Sequence, residues 1–245
     1  MLLTTLDKMK VPESLKLTII GVFAALTIIL DIVPLPSVGY VNLAAVIETI
    51  AAIVASTGIL GGIGVTVGSL IYSLYHPSEL FLYGGFLTMA SGAISIALMM
   101  YRRYEITILA VILLVLFFIA PGDVYVPIWA LWDKYLALIL IFPAVYLVKK
   151  TFKKELNKKY LLFTVFLLSF VGLEMDAMMG NLLFGLYGYS LLGLTPKGVA
   201  DLYVPFALAA VWERLIVAFI STLITVPLVI AIDSNPRIRW LIYRG

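Results

Sequence analysis

The sequence predicts an all-α polytopic membrane protein, on three observations. Its residues are 63% hydrophobic and 13% charged, where soluble domains hold roughly 45 to 50% apolar residues. The mean hydropathy is +1.10. The apolar residues gather into runs near the length of about 20 residues that a helix needs to cross a hydrocarbon core. Spans and short loops use almost the whole chain, so 1–245 is read as a single integral-membrane domain in the cell membrane, in contact with lipid.

Eight spans are expected, at 17–34, 41–57, 59–75, 81–100, 105–120, 126–148, 160–188 and 204–232. The segment before the first, with Asp7, Lys8 and Lys10, reads as a cytoplasmic leader rather than a cleaved signal. The first span carries Gly21, Ala24 and Ala25, and the second is rich in alanine. The third is short and contains Gly61, Gly62, Gly64 and Gly68, and the fifth is closed early by Pro121 and Gly122. These two are the weakest as independent spans, and six or seven crossings are the alternatives. With eight, Lys8, Lys10, Lys16, Arg102, Arg103, the lysines between 149 and 159, Arg237, Arg239 and Arg244 all fall on one side, against Lys197 on the other. The positive-inside rule then places both termini in the cytoplasm. The lysine run reads as a topology anchor and Trp240 as part of an interfacial tail.

Five carboxylates lie inside these spans: Glu48, Asp133, Glu174, Asp176 and Glu213, with only Lys134 and Arg214 for company. A charge at the centre of a span costs about 2.5 to 3.5 kcal/mol, so such groups must face one another or water. Counted from the outer ends of their spans at about 1.5 Å per residue, all five fall between the outer third and the midplane. Two ion pairs are expected: Lys134 with Asp133 or Glu174, and Glu213 with Arg214 or a neighbour. Three acids are then left to take a proton or a ligand.

The second half also repeats itself. Asp123-Val-Tyr-Val-Pro127 precedes span six and Asp201-Leu-Tyr-Val-Pro205 precedes span eight. Trp132-Asp133-Lys134 and Trp212-Glu213-Arg214 follow. Each proline suits a first helical turn, and each aspartate the positive end of a helix. The segments 105–148 and 160–232 are therefore read as a parallel repeat of helix pairs, an arrangement that puts ligand sites at the repeat interface. Pairs of small residues four apart, Gly21 with Ala25, Ala51 with Ala55 and Gly64 with Gly68, mark close helix contacts.

The first hundred residues resemble the substrate-binding S components of energy-coupling factor (ECF) vitamin transporters. The likeness rests on the basic leader, the small-residue first span, the loop Pro34-Leu-Pro-Ser-Val-Gly39, the alanine-rich second span, the Gly58 to Gly68 turn, and Gly84, Gly85 and Gly92. It takes in 1–104 and the last two spans, and the pair at 105–148 is additional to the family's usual six. The resemblance implies a subunit that captures a small vitamin-like molecule from outside and docks, through Gly21 and Ala25, on a transmembrane coupling protein with two ATPases. It places the binding site at Tyr40, Asn42, Glu174, Asp176, Asn181 and Glu213.

The embedded acids add Glu48 and Asp133 to that site and favour a cationic or hydrogen-bond-donating ligand, on whose ring Trp212 could stack. An ion- or proton-coupled transporter and a non-catalytic structural subunit are the alternatives. No enzyme activity, cofactor, metal site or nucleic-acid partner is expected. The chain has no cysteine and one histidine, and no phosphate loop carries the required lysine. Glu174 and Asp176, two apart on a helix, do not face each other.

Overall fold

The computed structural model describes residues 12–33, 43–78, 80–152 and 155–242, apart from the side chains at 58, 206 and 208. Tyr40, Asn42 and the loop 34–39 lie outside the described residues. The described chain has no strand. Its main helices are α1 (Glu13–Asp31), α2 (Ala44–Val54), α3 (Leu60–Tyr75), α4 (Phe86–Met100), α5 (Ile106–Ile119), α6 (Trp132–Thr151), α7 (Lys158–Leu183) and α8 (Pro196–Ser234). Among the described residues five segments are long and apolar enough to cross a membrane: Glu13–Asp31, Tyr83–Met100, Ile128–Thr151, Lys158–Leu191 and Ala209–Ser234. The chain is thus an α-helical protein of membrane-spanning character. The other three helices, α2, α3 and α5, are shorter.

Composition explains which helices lie inside. In α2 every residue is buried, Glu48 included. Its many alanines let α1, α3, α4, α7 and α8 close around it. At 11 residues it is only about 16 Å long, which an enclosed helix tolerates because its ends meet protein rather than lipid. In contrast, α1 buries only Ala24 and Thr27, and α5 leaves Ile108, Val111, Ile112, Val115 and Ile119 exposed. These are apolar faces of the kind that lipid covers.

Glycines on α3 set three contacts. A methyl group on Gly64 would lie 2.8 Å from the Phe23 Cβ and 2.9 Å from the Ile20 carbonyl, and one on Gly68 would meet Ala24 and Thr27. Gly61 lies against Ala51 of α2, and Gly62 faces Ala93 of α4. The expected pair Gly64 and Gly68 therefore does bring helices together, but its partner face on α1 is Ile20, Phe23, Ala24 and Thr27. Gly21 and Ala25 lie on the other, exposed side of α1.

α7 is the central rod, in contact with α2, α4, α5, α6 and α8. A π-helical turn, Phe184–Gly188, extends it towards Leu191. The turn admits the Gly122 N–H, which donates to the Gly185 carbonyl at 2.8 Å, and it brings Asp123 against the Gly185 backbone.

The helix α8 departs from expectation. It begins at Thr195, whose hydroxyl accepts from the Gly198 N–H at 3.2 Å, with Pro196 in the first turn. Pro205, expected in the first turn, is inside the helix. Asp201-Leu-Tyr-Val-Pro205 is therefore helical, whereas Asp123-Val-Tyr-Val-Pro127 is a turn leading into a 3-10 segment, Ile128–Leu131. The two motifs share a sequence and not a backbone.

Candidate functional site

The embedded charges gather around α7 in two groups. On one face Lys134 Nζ donates to Asp133 Oδ2 at 2.7 Å and to Glu174 Oε2 at 2.5 Å. Arg214 completes the group: NH1 lies 3.4 Å from Asp133 Oδ2, and Nε lies 3.7 Å from Glu174 Oε2. Lys134 is only 2% exposed. Two acids and two bases balance, as groups this deeply buried require. Lys134 thus bridges both expected acids, and Arg214 joins them instead of Glu213. Helical geometry explains that correction: residues 213 and 214 point about 100° apart, so only one of them can face α6 and α7. Glu213 is half-buried and makes no ion pair among the described residues. Trp212 points further round still and is 67% exposed, so it does not reach this group. Its counterpart Trp132 ties the helices together, donating from Nε1 to the Ala207 carbonyl at 2.9 Å.

The opposite face of α7 holds the second group. Glu48 from α2 meets Asp176 from α7, with the Thr88 hydroxyl of α4 beside Asp176. Glu48 is fully buried, and among the described residues neither of its oxygens has an N–H or hydroxyl donor, its one polar neighbour being the Asp176 carboxyl. Space for its carboxyl comes from Gly92, since a methyl group there would fall on Glu48 Oε1 and lie 2.9 Å from the Gly172 carbonyl. Asp176 keeps some accessible surface although it is set among the helices. One turn along α7, Gly180 leaves room for a ring: a methyl group on it would be 3.5 Å from both Phe81 Cζ and Thr88 Cγ2. Phe81 is fixed from two sides. The Tyr187 hydroxyl donates to its carbonyl at 2.7 Å, and the next residue, Leu82, has φ of 48°, a backbone state that costs a leucine about 1 to 3 kcal/mol.

Glu174 and Asp176 thus point to opposite sides of α7, as their spacing requires. Asn181 lies on the Glu174 side, where with Lys134, Leu113, Leu114, Phe117, Leu131 and Met178 it lines a narrow crevice between α5, α6 and α7. The structure brings Glu48 and Asp176 together, and separately Asp133 and Glu174. Glu213 and Trp212 join neither group, and Tyr40 and Asn42 lie outside the described residues. Thr88 and Phe81 were not expected here, and Gly92 was named only for the family likeness and not for this place. A threonine and a glycine four residues apart on a small-residue helix are a faint signal that only a known neighbour makes legible.

Asp123, expected at a helix end, is instead fully buried in the turn between α5 and the 3-10 segment. Its carboxyl oxygens have no hydrogen-bond partner among the described residues, and burial pushes its pKa up to about 8. Outside the bundle Glu105 behaves in the ordinary way: the backbone N–H of its own residue and the Arg103 guanidinium hold its carboxyl below the usual range.

No protein-family model, curated protein or solved structure matches the chain significantly.

Proposed function

We propose that the chain is the solute-binding subunit of an uptake system, crossing the cell membrane eight times with both termini in the cytoplasm. In this reading it captures a small vitamin-like or donor-bearing molecule from outside and passes it to an ATP-driven coupling module of the energy-coupling factor kind. The observation that carries the reading is the Glu48 and Asp176 pair. Lys134 and Arg214 are paired with Asp133 and Glu174 and reach Asp176 only through space, so among the described residues Glu48 and Asp176 have no base at ion-pair distance, at a buried place that retains some accessible surface. A chain that needs polar groups only to tie helices gains about 1 kcal/mol per tie, and two facing acids make a tie only while one of them keeps its proton. Support for docking comes from α1, whose Gly21 and Ala25 remain uncovered within the chain.

The test is affinity purification of the full chain from its native membrane with identification of what accompanies it. A transmembrane protein with an ATPase pair is the expected result. Uptake by the purified chain alone in proteoliposomes, driven by an ion gradient, would replace this reading with that of an ion-coupled transporter. The same carboxyl pair favours that second reading, since embedded acids serve as proton relays.

A further inference from the structure

We propose that Glu48 and Asp176 seat the ammonium group of a primary or secondary amine, with Phe81 one helical turn away. This rests on the uptake reading above and narrows its substrate class. The basis is the mismatch between the two faces of α7. On one face each acid has its base, at distances from 2.5 to 3.7 Å. On the other, Glu48 faces Asp176, a further acid that Arg214 and Lys134 reach only through space, and among the described residues no N–H or hydroxyl donates to either Glu48 oxygen, a proton shared with Asp176 being all they have.

Buried acceptors without donors call for a ligand that brings N–H groups. An ammonium brings up to three, which Glu48 and Asp176 can accept. One such cation and one retained proton neutralise the two carboxyls together. A hard divalent cation is a poorer fit, since it takes six or more oxygen ligands and this place supplies two carboxylates and one threonine hydroxyl.

The surroundings carry the same chemistry. Phe81 lies over the next turn of α7, where Gly180 presents no side chain. A phenyl ring turned to a cation attracts it, and Phe81 reaches this place with its Cζ tip. Tyr187 holds the Phe81 backbone, so the residue that carries the ring is anchored before a ligand arrives. Gly92 is part of the same construction, because any side chain there would displace the Glu48 carboxyl. A quaternary ammonium has no N–H to offer these oxygens, which separates the proposed class from cations in general.

The full chain in detergent can be tested by thermal shift and calorimetry with phenethylamine, tyramine and putrescine. The matching alcohols and N-trimethylated derivatives serve as counterparts. At least one amine should raise Tm while its alcohol and quaternary counterparts do not. Glu48→Gln and Asp176→Asn should each weaken that amine about ten- to a hundredfold, with Glu105→Gln, in an exposed loop, unchanged. Should either variant fold poorly, the unmodified chain gives a second measurement. The stabilising amine should protect Glu48 and Asp176 from dicyclohexylcarbodiimide, mapped by mass spectrometry.

No shift with any amine, equal shifts with alcohols or quaternary ions, or full affinity in both variants would overturn the ammonium seat. If neutral or anionic solutes stabilise the chain in those circumstances, the uptake reading survives without it. If no solute of any class does, the uptake reading fails as well.

Discussion

Lys134 is the residue on which most of the buried charge depends. Its ammonium serves two carboxylates while 2% exposed, so removing it strands charge in a place without water. Lys134→Ala should lower stability by about 3 to 5 kcal/mol, measured by denaturant unfolding in micelles. Adding Glu174→Gln should recover part of that loss, because fewer charges are then left unpaired. Gly92→Ala should cost about 1 to 3 kcal/mol in the same assay, since its methyl group would collide with Glu48. At this scale the sequence showed which acids are embedded but not how they divide. Asp133, Lys134 and Glu174 were candidates for one pair, and the long lysine side chain turns back to its neighbour while also reaching α7. That Arg214 prefers this group to Glu213 follows from the rotation of α8, which depends on packing along its whole length.

Elements were legible where composition alone defines them. The glycine-rich third segment was expected at 59–75 and forms α3 over Leu60–Tyr75. α8 starts about two turns before the expected residue 204, because Thr195 and Pro196, a threonine cap followed by a first-turn proline, carry the same start signal as Pro205. Thr195→Ala should therefore destabilise α8 by about 1 kcal/mol, visible as faster amide hydrogen exchange in its first turns. The turn between α5 and α6 carries a pH dependence. With its folded pKa at about 8, against an ordinary value of 3.8, Asp123 stays protonated in the fold where the unfolded chain has released its proton. The stability this gives is fully present below pH 3.8, declines as pH rises, and is lost above about 8. Thermal unfolding of the purified chain should thus show Tm falling between pH 5 and pH 9, and Asp123→Asn should flatten that slope.

For the molecule as a whole, the lysine and arginine asymmetry predicts that both termini and the loop near residue 155 label from the cytoplasmic side, with residue 197 labelling from outside. The chain has no cysteine, so single cysteines can be introduced without altering the background, and impermeant maleimide labelling reads the topology directly. Labelling of the termini on opposite sides would require an odd number of crossings. Periodicity and hydropathy made the membrane class plain. They could not rank helices by depth in the bundle, because an enclosed helix and a lipid-facing one can be equally apolar. The alanine-rich α2 proves to be the enclosed one, and its walls are drawn from both ends of the chain: α1, α3 and α4 nearby in sequence, and α7 and α8 made last. During synthesis, then, Glu48 must wait for more than a hundred further residues before its enclosure can close. A ribosome-bound intermediate lacking α8 would leave a short acidic helix without its final wall, a natural mark for membrane chaperones and a reason for premature termination to yield a rapidly degraded product.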